Sequence, residues 1–262
     1  MATLVTEQGV VHYESYGRGR PVLLLHGWLG SWMLWRNTIE TLGQHYRTYA
    51  LDFFGFGESG DKADSFSVDN FVLLVSQFMD RLGIVEAPIV GHSMGGTVAL
   101  STAVIFPERV SKVVVIGSPI QGSSLNLLLK MSGNPNFANL IWRFPGLLKL
   151  FLSYYATFMA NDGQQMSRMI QSDISKVTVH SFFESIGTLR QKDIALDIHS
   201  LKMPIMGMYG RKDIIVHPNQ AWVLQQHAPH SVVDWYEDAG HFIMLDAPDR
   251  FHASIREFIG HT

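Results

Sequence analysis

The chain has 262 residues, 47% of them hydrophobic, and a formal net charge of −3 from 20 basic and 23 acidic side chains. That suits one large domain, or one domain with an insertion, and the lack of any basic block argues against a nucleic-acid partner. With no cysteine in the sequence, a disulfide framework and a cysteine zinc site are both excluded, and a reducing, cytoplasmic setting is expected.

The opening MATLVTEQGV lacks the basic n-region and apolar h-region of a signal peptide. No apolar run reaches the ~20 residues of a spanning helix, so no integral membrane segment is expected. "VVHYESYG" (Val10–Gly17) reads as a strand. "VLLLHG" (Val22–Gly27) is a short continuous apolar run, the pattern of a strand buried on both faces. "RTYALD" (Arg47–Asp52) is a third strand, followed by the turn-rich "FFGFGESG". Val68, Phe71, Val72, Val75, Phe78, Met79 and Leu82 recur at helical spacing, with Ser67 as cap and Gly83 as stop. "PIVGH" is a strand, Thr97–Ile105 a helix and "KVVVIG" (Lys112–Gly117) a strand. This alternation predicts a mostly parallel sheet flanked by helices.

From about Ile120 to Leu196 no strand-like run recurs, and the stretch is helix-like and rich in Phe, Tyr, Leu and Met. The α/β rhythm resumes at "PIMGMYG" (Pro204–Gly210). A helix near Asn219–His227, the strand "SVVDWYE" and a last helix with Phe251, Ile255, Phe258 and Ile259 on one face follow. The predicted organisation is a core of 1–119 and 197–262 with a helical cap of 120–196, emerging where open α/β sheets bind ligands.

In "IVGHSMGGTVAL" (Ile89–Leu100), Gly91 and Gly95 lie two residues either side of Ser93. Glycine there permits a sharp strand-to-helix turn that lifts the serine hydroxyl clear of the sheet. Such a serine needs a base and an orienting acid. Of the 12 histidines, His241 in "AGHFIML" falls between the last strand and last helix, at the same sheet end as Ser93. His26 and His92 read as bracing residues whose rings bond loop backbone. The remaining histidines, His12 among them, read as surface or ordinary loop residues. Asp213 in "GRKDIIVHP" sits just past a strand and is the acid candidate, and Asp238 reads as shaping the His241 loop. An oxyanion hole needs two donors: the N–H of Met94, and the N–H of Trp28 in "HGWLGS", where Gly27 supplies the bend. No metal-ligand spacing accompanies the histidines, and no metal or cofactor is expected.

With these residues in place, the chain resembles the α/β-hydrolase superfamily over essentially its full length. The motifs are "HGWLGS" (26–31), "LDFFGFGES" (51–59), "GHSMGG" (91–96), "GRKD" (210–213) and "GHFIMLDAPDRF" (240–251). The resemblance implies Ser93 as nucleophile, His241 as base, Asp213 as acid, and Trp28 and Met94 as amide donors. Asp52, Gly55, Gly57 and Ser59 would stabilise a turn. Serine at 93 argues against the dehalogenases and epoxide hydrolases of this superfamily, which use aspartate there. The implied reaction is two-step acyl transfer, failing below about pH 6–7 given a reference imidazole pKa of ~6.5.

The cap stretch "FPGLLKLFLSYYATFMA" (144–160) is apolar almost all round a helix. It reads mainly as packing, and secondly as a pocket wall formed by Trp142, Phe151, Tyr155, Phe158 and Met159, with Met131, Met166 and Met169 lending adaptability. The expected substrate is therefore a small to medium hydrophobic carboxylic ester. Three rivals share the motifs. Cofactor-free haloperoxidases usually carry proline where this chain has Leu29. C–C bond hydrolases usually carry asparagine where it has His92. A receptor-like fold would bind a ligand with little turnover. Nothing in the sequence selects an oligomeric state.

Overall fold

The computed structural model describes residues 2–61, 63, 65–126, 146, 150, 154 and 160–260. Eight strands form one sheet: β1 Ala2–Thr6, β2 Gly9–Tyr16, β3 Pro21–Leu25, β4 Arg47–Leu51, β5 Ala87–His92, β6 Val110–Ile116, β7 Ile205–Gly210 and β8 Val232–Tyr236. Their order is β1-β2-β4-β3-β5-β6-β7-β8. Strands β1 and β2 pair antiparallel, as do β2 and β4, and every other pair is parallel. The parallel strands carry unbroken apolar runs because both faces are covered: Val22–Leu25 and Val113–Ile116 are wholly buried.

The described helices are α1 Arg36–Leu42, α2 Val68–Arg81, α3 Met94–Ile105, α4 Gly163–Ile174, α5 Val179–Gln191, α6 Gln220–His227, α7 Ile243–Asp246 and α8 Pro248–Gly260. Ser67 caps α2 by accepting the Asn70 N–H, and Gly83, at φ 65°, turns the chain away at its end. From β3 the chain crosses through α1 to β4 on one side, then through α2 to β5 on the other. Right-handed crossovers in opposite directions put the two helices on opposite faces. This reversal makes the gap between β3 and β5 a topological switch point. The loops after β3 and β5 carry "HGWLGS" and Ser93, so the topology alone brings them together.

Three features depart from the sequence reading. Strand β1 is an additional edge strand. Its inward face is only Ala2, Leu4 and Thr6, with Leu4 packed against the core, while Thr3 and Val5 are exposed, so its apolar signal is weak. Helix α3 begins at Met94, directly after Ser93, three residues earlier than its apolar run suggested. His12 is not a surface residue: it is buried in β2, and its Nδ1 lies 2.7 Å from Asp52 Oδ2. An imidazole in the middle of a strand was hidden by its polarity, and its partner lies 40 residues away.

Between β6 and β7 the chain leaves at Ile120 and returns at Ile194, where Ile194 N–H donates to Ile120 O at 3.1 Å and Gly122 N–H to Lys192 O at 2.7 Å. Helices α4 and α5 lie in this excursion. Trp142, Phe151, Tyr155, Phe158, Met159 and Met131 lie outside the described residues. Met166 is buried and Met169 partly so, both against the core.

Candidate active site

Ser93 stands between β5 and α3 at φ 52° and ψ −120°. A non-glycine residue in that region is strained by roughly 1–3 kcal/mol, so its surroundings must hold it. They do so by close approach. A Cβ on Gly91 would lie 2.2 Å from Gly95 O, and one on Gly95 would lie 2.4 Å from Leu25 O. The two glycines let the start of α3 press against β3 and β5. Ser93 N–H donates to Ile116 O at 2.8 Å, anchoring the turn to the end of β6. Ser93 is 6% exposed. Met94 is the first residue of α3, so its N–H has no partner within the helix and sits at the positive end of the helix dipole.

The base and acid candidates come from the loops after β8 and β7. His241 Nδ1 and Asp213 Oδ2 are 2.7 Å apart, and both side chains are buried. Nδ1 then carries the proton donated to the carboxylate, which leaves Nε2 as the lone-pair nitrogen. Asp213 is held by its other oxygen, which accepts the N–H groups of Ile215 at 2.8 Å and Val216 at 3.0 Å. The His241 loop is held by Asp246, whose Oδ2 accepts the Gly240 N–H at 2.8 Å. Asp238 is exposed and pairs with Lys212 at 2.8 Å, linking the acid and base loops from outside.

The end of β6 joins the two halves. Ile116 O takes the Ser93 N–H. A Cβ on Gly117, at φ 52°, would lie 3.1 Å from His241 Nδ1 and 3.2 Å from Asp213 Oδ2. Ser93, His241 and Asp213 thus gather around one strand end. Gly117 was missed in the sequence, although a glycine closing an apolar strand run was its available signal.

His26 and His92 brace the site. His26 Nδ1 donates to Gly27 O at 2.8 Å, and its Nε2 accepts the Phe53 N–H at 3.0 Å. His92 Nε2 donates to His241 O at 3.0 Å, and its ring centroid lies 4.6 Å from that of His241. Burial lowers the pKa of His26, and lowers that of His92 further, where the nearby His241 adds to the effect. Both are therefore neutral imidazoles at neutral pH. Gly27 passes against His92 and Ser93, since a Cβ there would lie 2.9 Å from His92 Nδ1 and 3.0 Å from Ser93 Cβ.

The loop after β3 runs from His26 to Trp32. Gly30 N–H donates to Gly27 O at 3.0 Å and closes a turn with Leu29 at φ 58°. The Trp28 indole N–H donates to Phe182 O of α5 at 3.1 Å, so the Trp28 side chain is spent on α5. Asp52 stabilises more than its own turn. Its Oδ2 accepts the Glu58 N–H at 2.9 Å and faces His12, while its Oδ1 accepts the Trp32 N–H at 2.6 Å. Among the described residues, no group of three or more His, Asp or Glu side chains could hold a metal ion, and no helix is long and apolar enough to cross a membrane.

The arrangement brings a serine, a buried imidazole–carboxylate pair and the N-terminus of α3 to the end of β6. The chain is similar to known proteins over nearly its whole length. The family model described as alpha/beta hydrolase fold matches residues 20–248. The chain is 25% identical over 258 residues to the pimeloyl-[acyl-carrier protein] methyl ester esterase of Vibrio parahaemolyticus, covering 95% of this chain and 97% of that one. A thermophilic esterase from Thermogutta terrifontis superposes with a TM-score of 0.85 at 21% identity, covering 99% of this chain and 97% of that one. A bromoperoxidase from Bacillus anthracis superposes with a TM-score of 0.86 at 20% identity, covering 97% and 96%.

Proposed function

The chain belongs to the α/β hydrolase fold family, and from that premise we propose that it is a serine-dependent hydrolase of small to medium hydrophobic carboxylic esters. The observation that carries this reading is the buried 2.7 Å His241–Asp213 pair, gathered at the end of β6 with a serine on a strained elbow. Ser93 Oγ attacks the ester carbonyl while His241 Nε2 takes its proton. Asp213 keeps the proton of His241 on Nδ1 and stabilises the imidazolium that forms. The Met94 and Trp28 N–H groups stabilise the oxyanion. His241 then protonates the leaving alcohol, and water activated by the same imidazole releases the acid.

The name of the Vibrio relative, a methyl ester esterase, supports ester as the substrate class. Leu29 weighs against the haloperoxidase alternative. Its φ of 58° is out of reach for proline, whose ring holds φ near −65°, so the proline usual in that group would need a differently shaped loop. Residues 120–196 act in this reading as a cap over a core of 1–119 and 197–262.

The test is hydrolysis of p-nitrophenyl esters from acetyl to dodecanoyl, with Ser93→Ala as control. We expect kcat to fall by roughly 10⁴–10⁶ in the variant. Equal rates for wild type and variant on every ester would sink the reading.

A further inference from the structure

Asp173 of α4 is a carboxylic acid buried to 3% exposure, and it does not belong to the proposed triad. It lies on the apolar stripe of α4 with Met166, Ile170 and Ile174. An apolar side chain there would avoid the cost of burying a polar group. Asp173 Oδ1 instead accepts the hydroxyl proton of Ser31 at 2.9 Å, across 142 residues of chain. Ser31 is itself buried, and it lies on the loop that carries Trp28. Its Oγ accepts the Met33 N–H at 3.3 Å and so caps the helical turn that follows.

The loop therefore has anchors on two sides. His26 and Asp52 hold it to the core, through Phe53 N–H and Trp32 N–H. Asp173 and Phe182 O hold it to the excursion between β6 and β7. Between the anchors lies Leu29, whose positive φ the loop must maintain against strain. A hydroxyl has one proton, and Ser31 directs it at α4.

We propose that Asp173 is a positioning residue: by bonding Ser31 it makes the oxyanion-binding shape of the loop depend on the docking of α4. This rests on the ester-hydrolase reading for its kinetic consequence, though not for its structural one. The charged neighbours give the device a direction. Asp52 and Glu58 face Asp173 from the core loops, and Lys176 faces it from the turn after α4. Burial first, and then the two carboxylates, hold the Asp173 pKa at about 7, against the lowering effects of Ser31 and Lys176. The ionised form is opposed first by burial and then by Asp52 and Glu58, and Ser31 only partly offsets this, so docking weakens as pH rises towards about 7 and levels off above it.

The experiment compares Asp173→Ala, Ser31→Ala, the double variant and Asp173→Asn. Two readouts are used: steady-state kinetics across pH 6–9, and amide hydrogen exchange of residues 27–34. We expect either alanine variant to lower kcat about tenfold with KM changed less than twofold, because a misplaced donor weakens transition-state binding selectively. The double variant should be no slower than the worse single one. Asp173→Asn, a neutral acceptor of the same shape, should rescue kcat and remove the wild-type weakening that develops as pH rises towards about 7 and levels off above it. Exchange in 27–34 should speed up in both alanine variants. If wild type turns over no ester, exchange still decides the structural claim while the ester reading fails separately. Unchanged exchange, fully additive alanine effects, or a change confined to KM would overturn the proposal.

Discussion

On the sheet side of the site, groups are fixed by backbone contact. Gly91 and Gly95 let β3, β5 and α3 close until one added Cβ would strike a carbonyl oxygen, and buried neutral imidazoles fill what remains. On the side of α4 and α5, Phe182, Ile186 and Leu189 are buried, but the specific ties to the core loops are polar side chains. Glu184 accepts the Ser65 hydroxyl at 2.5 Å and the Phe66 N–H at 3.0 Å. Thr188 accepts the Val68 N–H at 3.3 Å, and Ser181 donates to Gly55 O at 3.1 Å. Steric contact between backbones is indifferent to salt and pH. A polar seam responds to both. The difference predicts a rigid wall carrying the chemistry and a separable wall whose docking the solvent can tune.

The sharpest way to break this picture is Asp213→Asn. The amide keeps the shape of the acid loop but can donate to His241 Nδ1, which favours the wrong tautomer. We expect kcat to fall about 10⁴-fold with the melting temperature nearly unchanged. A loss below tenfold would remove Asp213 from the acid role. A collapse in stability would mean that the rigid wall depends on its charged pair rather than on backbone contact.

Acid should attack the sheet side first. His26 and His92 have lowered pKa values through burial. The unfolded chain takes up their protons near the reference pH of ~6.5 while the folded chain does not, so the stability they contribute is present above that pH and lost below it. Each adds about 1.4 kcal/mol per pH unit over its window. His12 works the other way: burial pulls its pKa down, but the hydrogen bond and charge of Asp52 more than offset this and raise it. His12 stabilises below ~6.5 and loses that contribution as pH rises through its folded value. Burial lowers His252 as well, so three histidines that lose stability on acidification stand against His12 and Asp173, which gain it, and the net is a loss. Urea midpoints should therefore fall between pH 7 and pH 5.5, and His92→Asn should flatten that slope. A slope unchanged in the variant would mean that His92 titrates normally in the fold.

The same contrast explains what was legible in the sequence. Ser93, His241 and Asp213 stand at strand ends, and strand ends are announced by short apolar runs closing in glycine or a turn. The elbow could be read because Gly91 and Gly95 have no other reason to flank a serine so closely. Edge strand β1 and the short helix α1 were not legible: the first buries too little, and the second is only seven residues long. His12, Asp246, Gly117 and Asp173 act through partners distant in the chain or through space left empty, which one-dimensional periodicity does not encode. Asp173 did leave a trace, as the one acid within the apolar stripe Met166, Ile170, Ile174 and Val177.

The smallest predicted effects separate packing from charge on the α4–α5 side. Lys176 pairs with Glu58 and Lys192 with Asp69, all at least a quarter exposed. Such pairs contribute at most about 1 kcal/mol and are screened by salt. Lys192→Ala should lower the melting temperature by no more than about 4 °C at low ionic strength, and the difference should shrink in 0.5 M salt, a concentration where the screening length is only about 4 Å. Lys176 differs in one respect. It also faces Asp173 and offsets the charges of Asp52 and Glu58 there. Lys176→Ala should therefore resemble Lys192→Ala at pH 6, where Asp173 is mostly protonated, and exceed it at pH 8, where Asp173 ionises without its counter-charge. Identical behaviour of the two variants at both pH values would show that the seam carries no charge coupling to Asp173 and that α4 docks through its apolar stripe alone.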